Sequence, residues 1–172
     1  MTEEMNEAPF KAVDMSQFKR TYLDIPYADA HEREKLDLVL PDEGEGPFPV
    51  VVAVHGGAWK FRFKRADNIA GLFQAASQGY AVASVGYRLS SHAKWPAQVN
   101  DVKAAIRYLR NHAEEYHLDP ECVIVCGNSS GGHIAQAVAT TNDDIDFEDC
   151  MLGDSGDSSV QGCFSMYGVS DI

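Results

Sequence analysis

Two short apolar runs, each ending in a glycine-rich turn, restrict this chain more than any other feature. Pro49-Val50-Val51-Val52-Ala53-Val54 leads into His55-Gly56-Gly57-Ala58-Trp59, and Cys122-Val123-Ile124-Val125-Cys126 leads into Gly127-Asn128-Ser129-Ser130-Gly131-Gly132-His133. A run without polar alternation reads as a strand covered on both faces, which is the habit of parallel sheets sandwiched by helices. Tyr80 to Val85 has the same character. Between these runs the period changes. Asn68 to Ser77 carries Ile69, Leu72, Phe73 and Ala76 at helical spacing, with Gly79 as its stop. Pro96 to His117 carries Val99, Val102, Ile106 and Leu109 on one stripe, and Asp119-Pro120 is expected to end it. Gly132 to Thr140 reads as a further helix and Gly162 to Tyr167 as a last strand.

Upstream, Phe18 to Tyr27 and Glu34 to Leu40 read as two strands around a turn. Strands alternating with helices imply right-handed βαβ units. The expected fold is therefore α/β, a mostly parallel sheet with helices on both faces, cut off after about the sixth strand. Residues 1–17 are expected to form a loose arm or short helix, and residues 18–172 the N-terminal portion of a single domain.

Charge narrows the partners. A formal net charge of -12 argues against nucleic acid, whose phosphates need a basic face, and against an anionic membrane. The longest apolar stretch, Pro47 to Val54, is too short to span a bilayer, and residues 1–15 lack the pattern of a signal peptide. Four cysteines, Cys122, Cys126, Cys150 and Cys163, show no C-x-x-C pair and read as buried small hydrophobes in a reducing compartment, so a cytoplasmic address is expected. The acidic run Asp143 to Asp149 lacks the glycine and terminal glutamate of a calcium loop. Neither a metal nor a cofactor is expected.

Ligands of open α/β sheets bind beyond the carboxyl ends of the strands, where both glycine-rich turns fall. Gly127-Asn-Ser-Ser-Gly131 fits G-x-S-x-G, a strained strand-to-helix turn that exposes a nucleophilic serine. Ser129 is the candidate nucleophile, and Gly127 and Gly131 relieve Cβ clashes on either side of it. In the first turn, the N–H groups of Gly57 and Ala58, with that of Ser130 after the nucleophile, are candidates to bind a developing oxyanion. His55 and Gly56 are expected to support that loop, His55 through side-chain hydrogen bonds. The basic stretch Lys60-Phe-Arg-Phe-Lys-Arg65 reads either as a solvated loop or as cations that steer an anionic substrate.

The chain resembles the α/β-hydrolase carboxylesterases related to hormone-sensitive lipase, including feruloyl esterase, acetylxylan esterase and kynurenine-formamidase-like members. The matching stretches are His55 to Trp59, Tyr87-Arg88-Leu89, Trp95-Pro96-Ala97, Asp101 to Ala105, Gly127 to His133 and Tyr167 to Asp171, in the family's order across roughly residues 35–172. The resemblance implies hydrolysis of a small-molecule ester through an acyl-enzyme on Ser129. It also implies that the catalytic acid and histidine come from loops downstream of Asp171, so neither has a counterpart here. His92 would lie two strand spacings from Ser129, roughly 10 Å, and His133 would pack within a helix. The chain is thus expected to be an incomplete serine ester hydrolase, with an unpaired last strand open to self-association or to a C-terminal complementing chain. A non-catalytic binding module and an amide or formamide hydrolase are the alternatives.

Overall fold

The computed structural model describes residues 11–142 and 144–170. The first ten residues of the expected arm, Asp143 of the acidic run and Asp171 of the last matching stretch lie outside the described residues. Six strands form one sheet: β1 (Thr21–Pro26), β2 (Lys35–Val39), β3 (Phe48–Val54), β4 (Ala81–Val85), β5 (Leu118–Asn128) and β6 (Gly162–Met166). Their spatial order is β1-β2-β4-β3-β5-β6. The first two strands enter antiparallel, and β4, β3, β5 and β6 run parallel.

The apolar runs occupy the middle of this sheet. Every residue of β4 is buried, as is every residue of β3 except Pro49. Two α-helices, α1 (Ala97–Asn111) and α2 (Ser130–Thr140), place Val99, Val102, Ile106, Ile134 and Val138 against Val50, Val52 and Val54 on one face. On the other face Ile69, Phe73 and Ala76 of a 3-10 segment, Asp67–Gln78, meet Val39, Ala53 and Val82. Gly79 closes that segment in the left-handed region at φ 91°. Of the expected arm, Met15–Gln17 form a short 3-10 helix; Val13 N–H donates to the Arg65 carbonyl, and Met15 is buried beside Phe73.

Three local expectations need correction. Asn68 to Ser77 has helical spacing but winds as a 3-10 helix, because apolar steps of three and four fit either pitch. The long helix ends at Asn111, not His117, and turns lead to His117 at φ 56°. The following strand begins at Leu118 and contains Pro120. Proline is tolerated there because the pairing with β3 shifts register between Leu118 and Val123, where no ladder bond is needed. Finally, Cys150 and Cys163 are exposed, Cys126 is buried and Cys122 intermediate; all four are free thiols. No helix among the described residues is long and apolar enough to cross a membrane.

Candidate active site

β3 and β5 are parallel neighbours, paired from Val50↔Val123 to Val54↔Gly127, so both glycine-rich turns leave the sheet at the same edge. The turn after β5 is tight. Ser129 sits at φ 51° and ψ −124°, a backbone conformation that costs a residue bearing a Cβ about 1–3 kcal/mol. The surrounding glycines are forced by close backbone approach. A Cβ on Gly127 would lie 2.3 Å from the Gly131 carbonyl oxygen, and one on Gly131 would lie 2.3 Å from that of Val54 and 2.5 Å from that of His55. The Ser129 N–H donates to the Met166 carbonyl at 3.0 Å, which fastens the turn to the end of β6. Ser130 follows as the first residue of α2, in the first turn, where N–H groups have no helical carbonyl partner and the helix dipole is positive.

The turn after β3 is organised peptide by peptide. In a planar trans peptide the carbonyl and the next residue's N–H point in opposite directions, so fixing one fixes the other. The His55 carbonyl accepts the Tyr87 hydroxyl at 2.8 Å, and on the other side of the same peptide the Gly56 N–H donates to Asn128 Oδ1 at 3.0 Å. The Gly56 carbonyl lies 2.8 Å from His55 Nδ1, so the Gly57 N–H points away from that ring. The Gly57 carbonyl accepts N–H groups of Lys60 and Phe61 at 3.0 and 2.9 Å, which turns the Ala58 N–H the opposite way. Ala58 and Trp59 both hold positive φ, 51° and 58°. The loop rests directly on the serine turn, since a Cβ on Gly56 would come within 3.2 Å of Ser129 Cβ.

His55 is wholly buried and stacks on the Tyr87 ring at 4.3 Å and 14°. Burial drives its pKa down to about 3, so the ring is neutral, and the carbonyl beside Nδ1 assigns the proton to that nitrogen. The imidazole is thus neutral, buried and hydrogen-bonded within its own loop. His133 lies one turn beyond Ser129 in α2, between Trp59 at 5.4 Å and Trp95 at 4.7 Å, and burial lowers its pKa. His92 stacks on His31 at 4.3 Å beyond β4, a strand separated from β5 by β3. Both rings thus fall where the sequence places them.

The basic stretch has a different task from a solvated loop. Lys64 and Arg65 converge on Asp37, a carboxylate without solvent access, at 2.9 and 2.6 Å, and also bind Asp24. Arg62 pairs with Asp67. Among the described residues no group of three or more His, Cys, Asp or Glu side chains could hold a metal ion. Two residues of the site carry no chemical signature in the sequence, Tyr87 and Asn128. Two signals were available: each falls in a stretch that carries the family resemblance, and each is a polar residue just at or beyond the carboxyl end of a buried strand.

Residues 36–172 match the model of the BD-FAE family. The chain belongs to that family of α/β-hydrolase esterases. It is 32% identical over 151 residues to Esterase LipQ of Mycobacterium tuberculosis, covering 87% of this chain and 35% of LipQ. It is 30% identical over 124 residues to kynurenine formamidase of Danio rerio, covering 72% of this chain and 40% of that protein. Among solved structures it superposes on a truncated form of carbohydrate esterase from gut microbiota with TM-score 0.81 and 31% identity, covering 92% of this chain and 60% of that one. The BD-FAE chain described here therefore spans between a third and two fifths of the length of these two curated relatives.

Proposed function

We propose that this chain carries the nucleophile and the oxyanion cradle of a serine ester hydrolase that works through an acyl-enzyme. In this reading Ser129 Oγ attacks the ester carbonyl and the alcohol departs. The resulting acyl group is later released to water. The negative oxygen of each tetrahedral intermediate is held by the N–H groups of Gly57, Ala58 and Ser130. His55 and Gly56 shape that cradle, and Gly127 and Gly131 permit the serine turn. The observation that supports the reading is the pair of peptides after Gly56, whose carbonyls are held by His55 Nδ1 and by the N–H groups of Lys60 and Phe61, leaving the Gly57 and Ala58 N–H groups facing away from those partners in a loop that rests on the serine turn. Such preorganised donors are the largest single term in acyl transfer, each worth about 10²–10³ in rate.

Deprotonating Ser129 needs a base within hydrogen-bond reach. His55 is held in its loop, His133 packs between two tryptophans, His92 and His31 stack on each other beyond β4, and His112 and His117 precede the start of β5, at the end of the strand opposite Ser129. The proposed acid and base thus come from outside the described residues. They are supplied by further sequence of the same protein, as the family resemblance implies, or by a complementing chain seated along β6, an edge strand whose Phe164 is exposed. A small-molecule ester is the proposed substrate, and four free thiols support a reducing, cytoplasmic setting. Formamide hydrolysis is a second reading, supported by the likeness to kynurenine formamidase.

The test is a fluorophosphonate probe with mass-spectrometric site mapping, alongside hydrolysis of p-nitrophenyl acetate and of an N-formyl aniline. Labelling at Ser129 that disappears in Ser129→Ala is expected, either alone or after addition of a C-terminal partner. Labelling elsewhere, or none under both conditions, would refute the assignment and leave a binding module. Faster turnover of the formanilide would favour the second reading.

A further inference from the structure

The peptide joining His55 to Gly56 is the one unit of the oxyanion loop gripped at both ends by side chains from other strands. Its carbonyl accepts the Tyr87 hydroxyl at 2.8 Å, and its N–H reaches Asn128 Oδ1 at 3.0 Å. Tyr87 lies just beyond β4 and Asn128 ends β5, so the grip spans the two strands flanking β3. We propose that Tyr87 and Asn128 are a positioning pair, which clamps the 55–56 peptide and thereby sets the direction of the Gly57 and Ala58 N–H groups. This rests on the functional reading above, and it adds two residues that the motif chemistry leaves without a role.

The argument is geometric. Rotation about the bonds flanking Gly56 is the freedom that would swing the following peptides, and glycine offers the least intrinsic resistance to it. Alanine is excluded at this position because its Cβ would lie 2.7 Å from the Asn128 carbonyl oxygen. The loop therefore cannot stiffen itself with a side chain and is held from outside. Both anchors are suited to that. Tyr87 is buried, its acidity is suppressed by desolvation, and its ring is stacked on His55, so its hydroxyl stays a neutral donor. Asn128 is 3% exposed and its amide nitrogen donates onward to the Tyr167 hydroxyl at 3.3 Å, which fixes which way the amide faces. Because the two side chains act on one rigid plane, losing either one frees that plane, and losing the second removes little more.

The experiment combines amide hydrogen exchange with Ser129 reactivity in the full chain, for Tyr87→Phe, Asn128→Ala, Asn128→Asp and the double variant Tyr87→Phe/Asn128→Ala. Asn128→Asp keeps an acceptor for the Gly56 N–H and, with the Tyr167 hydroxyl turned round as donor, keeps the second contact. The Gly56 amide should be protected in the wild type, exchange at least about tenfold faster in Asn128→Ala, and be protected again in Asn128→Asp. Phosphonylation of Ser129 should slow by about 10- to 100-fold in each of Tyr87→Phe and Asn128→Ala, as expected when donors are misaimed and not deleted. The double variant should be no slower than the worse single, since the two act through one peptide. An unprotected Gly56 amide in the wild type, or single effects that multiply in the double, would overturn the clamp. If wild-type Ser129 proves unreactive both alone and with a C-terminal partner, the esterase reading fails, while exchange at Gly56 and movement of the Gly57 and Ala58 amide resonances in Tyr87→Phe still decide whether the clamp exists.

Discussion

Replacing Ser129, the proposed nucleophile, by glycine should stabilise this protein. Ser129 holds φ 51° and ψ −124°, where a Cβ crowds the backbone at a cost of about 1–3 kcal/mol. Glycine adopts that conformation freely but makes the unfolded chain more flexible, which returns about 0.4–1 kcal/mol. The half-buried hydroxymethyl group contributes little packing, so the net gain expected is about 1–2 kcal/mol. Ser129→Ala is the control, because it removes the hydroxyl while keeping the Cβ and its strain, and it should stay within about 0.5 kcal/mol of wild type. For a chain of 172 residues each kcal/mol moves Tm by about 2–4 °C, so Ser129→Gly should melt about 2–8 °C above Ser129→Ala. Urea unfolding followed by the fluorescence of Trp59 and Trp95, both packed beside the site, gives the same comparison at equilibrium. A glycine variant no more stable than the alanine variant would show that the turn stores no strain, and the case for a forced-out hydroxyl would fall with it.

Acid should weaken the fold through His55. Its folded pKa of about 3 lies below the ordinary 6.5, so between those values the unfolded state binds more protons and stability falls as pH drops, by about 5 kcal/mol in all at about 1.4 kcal/mol per unit. Urea midpoints measured from pH 7 to 4 should decline less steeply in His55→Gln, and parallel curves would refute the assignment. Arg65→Met leaves Lys64 as the remaining cation on the buried carboxylate of Asp37 and should cost about 1–3 kcal/mol in the same assay, whereas an unchanged midpoint would mean the pair is idle.

The central strands were legible because β3 and β4 are covered on both faces and β5 from Val125 onward, and that burial writes itself as unbroken apolar runs. Helix limits were less so. Tyr108, His112 and Tyr116 continue the helical spacing past Asn111, so the spacing alone does not mark where the helix stops; the His112 ring stacks on Tyr108 and lies tilted against Tyr116. The serine turn was legible from its glycines, which answer to backbone contacts a few residues away. The partners of the loop after β3 were not. Tyr87 and Asn128 touch it across the sheet, 32 and 72 residues along the chain, and no local pattern encodes such a contact. Likewise the charges of Lys64 and Arg65 were plain in the sequence, but their target, Asp37, lies 27 and 28 residues earlier on β2.

The distance along the chain between Gly56 and Asn128 makes the site an internal gauge of nativeness. A single hydrogen bond joins two turns that no local segment can bring together, and the parallel pairing of β3 with β5 must be in place first. A partly folded intermediate that keeps its helices would already have lost the cradle. Probe incorporation at the serine should therefore count intact molecules one by one, and fall in step with the last cooperative loss of sheet structure on heating.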